Sequence, residues 1–310
     1  MRVIDGTSYA WTPEMGKECI IRISKSSLST FKWCPQQLWL SKTIEIEEEP
    51  KDYLIIGSDV HKGTEIFYEN AKEDFESIKA AHAAVKANKP KAAYDTLERM
   101  WPPDDEVIAA RRKDSADQPF YEKEYNLNKE WLLNFEVQRL SVLDSNEIEL
   151  FLPVGNEVRL ETTINVELDG TLVPVRLVGE IDRVFKGTGG GLELMELKTG
   201  KWRDAKRSDM RSEMAYYRYL IENTSNEVLK GNSIDAPVTH WSWRFSNADH
   251  WDCEEVKKVS HRAMLTTLNK LIKAYVKGEF ETTKADFKCG YCDYMPHCPR
   301  YAIDGGTSIC

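Results

Sequence analysis

The 310-residue sequence contains no long hydrophobic run. A membrane-spanning helix needs about 20 predominantly apolar residues, and no uninterrupted apolar stretch approaches that length, which excludes a helical membrane protein. The first twenty residues carry five charged side chains and lack the apolar block of a secretory signal. We therefore expect a cytoplasmic, intracellular protein that does not bind membranes.

A basic excess is also missing, because 42 lysines and arginines stand against 51 aspartates and glutamates, for a formal net charge of -9. This balance excludes a uniformly basic nucleic-acid coat, although a local basic groove remains compatible with it. A hydrophobic content of 41% excludes a disordered chain. The phosphate loop Gly-x4-Gly-Lys-Ser/Thr is absent, so any helicase motor that works with this protein is a separate chain.

Hydrophobic periodicity predicts a mixed α/β fold. Residues 71–150 are charged and helical in pattern, and we interpret them as a helical insertion. The tight-turn pair Asp169-Gly170 predicts a hairpin between two of the strands. A helix is predicted over 26–40, and Pro35 would kink it or restart it just after Cys34. The remaining predicted elements are a helix that opens near Gly57, strands over 19–23, 158–168, 171–185, 192–197 and 238–245, and helices over 210–223 and 254–276.

Two acidic positions on successive predicted strands carry the main chemical signal. Asp182 ends the segment Gly179-Glu-Ile-Asp182, and Glu196-Leu-Lys198 follows on the next strand, where alternate side chains share a face. They could be ordinary strand residues paired with Arg183 and Lys198. The apolar residues around Glu196 favour a buried strand, where a charge is costly unless it is paired or metal-bound. Two carboxylates beside a lysine are suited to metal-assisted phosphodiester hydrolysis with Mg²⁺ or Mn²⁺.

The cysteines form a second pattern. The chain has seven of them, and an odd number in a long cytosolic chain does not indicate a disulfide framework. Cys289, Cys292 and Cys298 lie within ten residues, which predicts a metal or cluster site with a fourth ligand from elsewhere, for which Cys34 is the candidate. A zinc site and an iron–sulfur cluster both fit thiolate ligands. Cys19, Cys253 and Cys310 fit no such spacing.

A cation-rich segment follows the predicted catalytic strand. We interpret it as a DNA-binding segment, because cations bind phosphates and an aromatic side chain can stack on an unpaired base. A solvated surface is the alternative interpretation. Its candidate contacts are Lys201, Trp202, Arg203, Lys206, Arg207 and Arg211.

Taken together, five sequence elements resemble the PD-(D/E)XK nuclease superfamily and, within it, the RecB-like branch that includes the AddB nuclease domain and CRISPR-associated exonucleases. They occur in the family order over nearly the whole chain. The elements are Ser26–Pro35 with the first cysteine, Gly57-Ser-Asp-Val-His61, Asp182 with Glu196-Leu-Lys198, Glu213-Met-Ala-Tyr-Tyr217, and the C-terminal cysteine trio.

This resemblance implies a restriction-endonuclease-like core, with a mixed central sheet flanked by helices. It implies a single nuclease domain over 1–310, with the insertion at 71–150. A four-iron four-sulfur module at 285–300, completed by Cys34, would fasten the first helix to the C-terminal tail. Zinc at these cysteines remains the alternative.

The resemblance also implies roles for individual residues. Metal ligands would be His61, Asp182, Glu196 and the backbone carbonyl of Leu197, and Lys198 would position the attacking water. Glu213 and Tyr217 fall on a Gln-x-x-x-Tyr element that suggests DNA contact, although Tyr217 could equally be a core aromatic. Glu213 replaces the family's glutamine, and its negative charge would repel a phosphate unless a cation pairs with it.

The function expected from these residues is that of a metal-dependent DNA exonuclease, a phosphodiester hydrolase acting on single-stranded DNA or DNA ends in recombination, repair or viral DNA processing. One alternative is a nuclease subunit that works with a helicase or with CRISPR-adaptation proteins. The other is a non-catalytic iron–sulfur protein that binds nucleic acid.

Overall fold

A single mixed sheet with helices on both faces organises the chain. The computed structural model describes residues 2–4, 19–46, 51–103, 117–187 and 189–301. The strands are β1 (Arg2–Ile4), β2 (Cys19–Ser24), β3 (Gly155–Leu168), β4 (Thr171–Lys186), β5 (Leu192–Lys198), β6 (Val238–Phe245) and β7 (His250–Glu255). The helices are α1 (Lys25–Trp33), α2 (Pro35–Thr43), α3 (Asp52–Glu73), α4 (Phe75–Lys86), α5 (Pro90–Glu98), α6 (Gln118–Val142), α7 (Lys206–Glu222), α8 (Asn226–Gly231), α9 (Arg262–Lys277) and α10 (Asp286–Cys289).

The seven strands follow the order β1-β2-β4-β5-β6-β7, with β3 paired along β4. Three pairs are parallel, namely β1 with β2, β2 with β4, and β5 with β6. The other three pairs, β3 with β4, β4 with β5, and β6 with β7, are antiparallel. The predicted mixed α/β fold with helices around a central sheet is therefore confirmed.

Strand β4 changes partners along its length. Its first half pairs with β2, up to the pair Ser24–Val178, and its last residues pair with β5, starting at Arg183–Met195. Between these two stretches, β2 and β5 diverge and leave a fork beside β4. The end of β2, the start of α1 and the end of β5 all meet at this fork, which determines where the site forms.

The β3–β4 hairpin forms at the predicted turn. Leu168 pairs with Thr171, and both loop residues have positive φ, +48° for Asp169 and +80° for Gly170. These values are those of a two-residue turn whose twist matches the flanking strands, and glycine adopts them without steric penalty.

The N-terminal helical region is two helices, so of the two predicted alternatives the chain restarts the helix after Cys34 rather than kinking it. Helix α1 ends at Trp33, Cys34 is extended with φ of -158°, and Pro35 begins α2. Proline has no N–H to donate within a helix but is well suited to a first turn, so the break falls at the residue before it. The N-cap of α1 is Ser24, whose side chain accepts the N–H of Ser27.

The sheet is buried on both faces. One core contains Leu194 of β5 with residues of α1, α7 and α9, whereas the other contains Met195 and Leu197 of β5 with residues of α3 to α6. Helices α4, α5 and α6 occupy the range predicted to be a helical insertion, of which residues 104–116 lie outside the described part. The division of 1–310 into a nuclease domain, an insertion and a cysteine module stays a prediction.

The prediction that a helix begins at residue 254 is wrong. Residues 250–255 form β7, the antiparallel edge partner of β6, and α9 begins only at Arg262. Residues of β7 alternate between half-buried and exposed positions, a strand pattern that its charged side chains concealed. Within the described ranges, no helix combines the length and apolar character that crossing a bilayer requires.

Candidate active site

The two predicted catalytic carboxylates meet where β4 and β5 separate. Strand pairing ends at Arg183–Met195, and beyond it the Asp182 Oδ2 accepts the backbone N–H of Leu197 at 2.6 Å. The carboxylate thus replaces a missing strand partner, which fixes its position. Asp182 and Glu196 are 7% and 3% exposed, so both carboxylates lie in an environment where uncompensated charge is costly.

Helix α3 brings His61 to the same place from a distant part of the sequence. The His61 Nδ1 lies 3.7 Å from the Asp182 Oδ1, and its backbone carbonyl accepts a hydrogen bond from Arg183 at 3.3 Å. Gly57, one turn earlier, permits this approach, because a Cβ there would lie 3.2 Å from the Thr199 Oγ1 at the end of β5. The Gly-x-x-x-His spacing therefore has a packing reason.

Glu157, which we did not predict from the sequence, lies beside His61 and Asp182. Ligand atoms of His61, Glu157 and Asp182 all lie within 4.8 Å of one another. Glu157 has a positive φ of +46°, which is rare for a residue with a side chain and is found mostly where the surrounding structure enforces it. The signal was the hairpin turn: counting eleven residues outward from the pair Leu168–Thr171 places Glu157 directly across from Asp182.

Glu196 is held by two lysines rather than one. Its Oε1 accepts hydrogen bonds from Lys198 Nζ at 2.6 Å and from Lys25 Nζ, at the start of α1. Its Oε2 is buried and has no hydrogen-bond partner among the described residues. The Glu-x-Lys spacing predicts Lys198 at this carboxylate. Lys25 could not be predicted, because only the tertiary fold places the first residue of α1 at the end of β5.

Glu213, on α7, completes the charge network. Its Oε2 lies 3.3 Å from Lys25 Nζ and 3.2 Å from Lys198 Nζ. Glu213 replaces the family's glutamine, and we expected its charge to repel a phosphate unless a cation pairs with it. Two lysines pair with it here. Tyr217, one turn later, is buried, stacks near Trp241 and donates its hydroxyl to the Glu180 carbonyl. It lies in the core, which removes it from our set of DNA contacts.

The pKa shifts of the two carboxylates differ in direction. Burial raises the pKa of Asp182, and the nearby Glu196 carboxylate raises it further. Burial alone would also raise the pKa of Glu196, but the charges of Lys198 and Lys25 dominate and lower it to about 2. Both lysines have pKa values above their usual range, because the Glu196 and Glu213 carboxylates outweigh the effect of burial.

These observations fit a divalent cation. His61, Glu157 and Asp182 supply one nitrogen and two oxygen donors within a small sphere, and the buried Oε2 of Glu196 lacks a hydrogen-bond partner in the described part. A dication would relieve the repulsion that raises the pKa of Asp182. The adjoining cleft, of about 400 Å³, is lined by residues that include His61, Glu196, Leu197, Lys198 and Glu213.

The four predicted cluster cysteines line one small cavity. Cys34, Cys289 and Cys298 are buried and Cys292 is half-buried. Burial raises the pKa of the Cys292 thiol, and the neighbouring thiols of Cys34, Cys298 and Cys289 add to this shift. The guanidinium of Arg300 lies 3.7 Å from the Cys289 Sγ. Four cysteines that line one cavity beside a cation are candidate ligands for a metal or an iron–sulfur cluster.

The remaining cysteines do not join this cavity. Cys253 lies exposed on β7. Cys310 and the side chain of Cys19 lie outside the described part of the chain.

Three side chains of the predicted DNA-binding segment already contact other side chains of this chain. Arg207 pairs with Asp252, and Arg211 donates to the Glu254 carboxylate at 2.7 and 2.9 Å. Trp202 stacks on His250 with ring centroids 4.0 Å apart, so this ring face is covered.

The other three cations of the segment remain near the surface. Lys201 and Arg203 are exposed, and Lys206 lies 5.1 Å above the Phe245 ring at the cleft. DNA contact by Lys201, Arg203 and Lys206 stays a prediction.

Comparison with known proteins agrees with this geometry. The family model described as the PD-(D/E)XK nuclease superfamily matches residues 22–299. No curated protein matches the chain. A solved structure, the crystal structure of SSO0001, is 10% identical over 89% of this chain and 95% of the other, with a TM-score of 0.32, a value too low to carry an argument.

A mixed sheet whose strand ends present an Asp and a Glu-x-Lys defines a class of metal-dependent nucleases. The family match spans most of the sequence and includes every one of these side chains. This chain belongs to the PD-(D/E)XK nuclease superfamily. Members of that superfamily are generally nucleases that hydrolyse phosphodiester bonds with Mg²⁺ or Mn²⁺, and their substrate is nucleic acid.

Proposed function

We propose that this protein is a Mg²⁺- or Mn²⁺-dependent DNA exonuclease of the RecB-like branch, acting on single-stranded DNA or DNA ends in recombination, repair or viral DNA processing. The observation that supports this most is that His61, Glu196 and Lys198 line one cleft although they come from two distant elements. Asp182, from a third element, lies 3.7 Å from the His61 ring.

The metal would be held by His61, Glu157 and Asp182, with the free Oε2 of Glu196 and the Leu197 carbonyl as further ligands. When bound, the ion polarises the scissile phosphate and lowers the pKa of a bound water. Asp182 is held in place by the Leu197 N–H, so its carboxylate needs no rearrangement. Lys198, oriented by Glu196, stabilises the charge that develops on the phosphate.

The deciding experiment is a cleavage assay on end-labelled single-stranded DNA with Mg²⁺, Mn²⁺ or EDTA. We expect cleavage with either metal and none with EDTA. Asp182→Asn and Lys198→Met should each lower the rate by about a hundredfold or more. Glu167→Gln, an exposed change on β3, is the matched control. Full activity of Asp182→Asn, or cleavage in EDTA, rejects the proposal.

Circular single-stranded DNA separates an exonuclease from an endonuclease. A requirement for ends predicts degradation of the linear form and survival of the circle. Cleavage of both forms at equal rates would restrict the proposal to a nuclease without the exonuclease specificity. Binding without any cleavage, in every metal condition, would instead favour the non-catalytic nucleic-acid-binding protein.

We further propose that Cys34, Cys289, Cys292 and Cys298 hold a four-iron four-sulfur cluster. What supports it is that three closely spaced cysteines and one from the end of α1 line the same cavity. Anaerobic purification should give a brown protein with about four iron atoms per chain. A colourless protein with one zinc would assign the same four ligands to zinc and reject the cluster.

A further inference from the structure

A second cavity lies beside the candidate active site, between α1, α7 and α9. It has a volume of about 530 Å³ and is open to solvent. We call it the α1–α7 groove, and its lining includes Lys25, Lys32, Trp33, Asp209, Glu213 and Lys288. Volumes of this size are typical of sites that hold small ligands or parts of larger ones.

One exposed aromatic side chain lines this groove, and a second lies next to the first. Trp33, at the end of α1, is 39% exposed and Phe287, on α10, is 65% exposed. Their ring centroids lie 6.0 Å apart, with the rings nearly perpendicular. Neighbouring exposed aromatic rings offer a surface on which an unpaired base can stack.

Lysines accompany the rings. Lys288 Nζ lies 4.7 Å from the centre of the Trp33 ring and donates to the Trp33 carbonyl at 2.8 Å. Lys32 lies one residue before Trp33 and is more than half exposed. Cations that alternate with aromatic faces are what single-stranded nucleic acid requires, since phosphates bind the cations while the bases stack on the rings.

The two acids of the groove each pair with one of its three lysines, which leaves one positive charge in excess. Asp209 pairs with Lys32 at 3.1 Å, and Glu213 pairs with Lys25 at 3.3 Å. Lys288 adds a further positive charge at the aromatic end. The α1–α7 groove therefore has a local excess of positive charge in a chain that is acidic as a whole, and a polyanion fits it.

The groove continues into the catalytic cleft. Asp209 and Glu213 line both cavities, and Lys25, which lines the groove, donates to Glu196 in the cleft. A strand that lies in the groove would thus run from the Trp33 ring toward the Glu196 carboxylate.

We propose that the α1–α7 groove binds single-stranded DNA, with bases stacked on Trp33 and Phe287 and phosphates on Lys32 and Lys288, and leads the strand to the cleft. Unpaired bases are needed, because a duplex hides its base faces. Delivery to the cleft rests on the proposed nuclease function, whereas binding in the groove does not.

The test is fluorescence anisotropy with a labelled oligothymidine of about 12 nucleotides, performed on the full chain in EDTA so that no cleavage occurs. Trp33→Ala and Phe287→Ala should each raise the Kd by about five- to a hundredfold, the effect of losing one base stack. Trp33→Phe keeps an aromatic face and should restore most of the affinity. Trp251→Ala is the matched control, because Trp251 is 53% exposed on β7.

The contribution of Lys32 and Lys288 is measured separately, through the salt dependence of binding. The double variant Lys32→Gln/Lys288→Gln should reduce the slope of log Kd against log salt concentration by about 1.4, or 0.7 for each phosphate contact. Because Trp33 precedes Cys34, the visible spectrum and metal content of each variant are measured alongside. Equal metal content in Trp33→Ala and the unmodified chain assigns the loss of affinity to the ring itself.

The outcomes separate the two proposals. An unchanged Kd in Trp33→Ala and Phe287→Ala, or an equal loss in Trp251→Ala, overturns the groove assignment, even if Lys198-dependent cleavage is found. Absence of oligothymidine binding to the unmodified chain also overturns it and would leave the aromatic pair to a protein partner. Binding that depends on Trp33, in a protein without cleavage activity, supports the groove and rejects the nuclease.

Discussion

The ammonium group of Lys25 donates a hydrogen bond to the carboxylate of Glu196, although 171 residues separate the two in sequence. This bond joins the start of α1 to the end of β5 across the fork in the sheet. It adds a second cation to the Glu-x-Lys element, and it places that cation between Glu196 and Glu213.

Lys25 should therefore act as a positioning residue for Glu196 and Glu213. We expect Lys25→Met to lower kcat/KM by about tenfold, or 1.4 kcal/mol, because Glu213 is left to Lys198 alone. Glu213→Gln should restore part of this loss, as the cation then has less charge to balance. The double-mutant cycle should give a coupling energy of about 0.5–3 kcal/mol. Purely additive losses would contradict the network.

Glu157 should contribute to metal affinity. Glu157→Gln removes one of three donors within 4.8 Å and should weaken Mn²⁺ binding by about ten- to a hundredfold, measured by calorimetric titration without DNA. Glu161→Gln is the control, since Glu161 lies on the same strand and pairs with Arg176 at the surface. Equal Mn²⁺ affinity in both variants would show that Glu157 serves only to hold Arg183.

Cys34 should be required for the cluster. We expect Cys34→Ser to lose visible absorption and most of its iron, of about four atoms per chain, because one of four thiolate ligands is removed. The thermal unfolding midpoint should fall, since Cys34 connects the end of α1 to the C-terminal cysteines. Cys253→Ser, an exposed change on β7, should keep full iron content. Normal iron in Cys34→Ser would mean that the fourth ligand lies elsewhere.

A buried ion network under the sheet should govern stability rather than catalysis. Glu136 accepts hydrogen bonds from Tyr68 at 2.7 Å and from Arg244 at 2.9 Å, and it pairs with Arg139 at 2.5 Å. Glu136→Gln leaves buried guanidinium charge without its partner, and should lower the free energy of unfolding by about 3–5 kcal/mol. Denaturant unfolding measures this loss.

Glu76→Gln provides the comparison for that measurement. Glu76 forms a surface pair with Lys79 on α4, where water screens the interaction. No measurable change in stability is expected for it. A loss in Glu76→Gln that matched the loss in Glu136→Gln would show that burial of the network is not what stabilises the fold.

Most of the catalytic pattern could be predicted from short stretches of sequence. Asp182 and Glu196-Leu-Lys198 stand out because charged residues interrupt apolar strands, and the Asp169-Gly170 turn fixes the hairpin on which Asp182 lies. The β7 strand could not be found in this way, because its acidic residues obscure an alternation that depends on pairing with β6.

The sequence by itself determined the mixed fold, the acid–lysine element and the closely spaced cysteines, because each depends on local periodicity or spacing. Only the tertiary structure decided that Lys25 reaches Glu196 and that Tyr217 is buried. The Lys25–Glu196 contact forms because β4 pairs with β2 along one stretch and with β5 along another, which brings the end of β2 close to the end of β5. Which strands pair with which part of β4 is decided by packing between residues far apart in the chain, and local sequence patterns do not encode that packing.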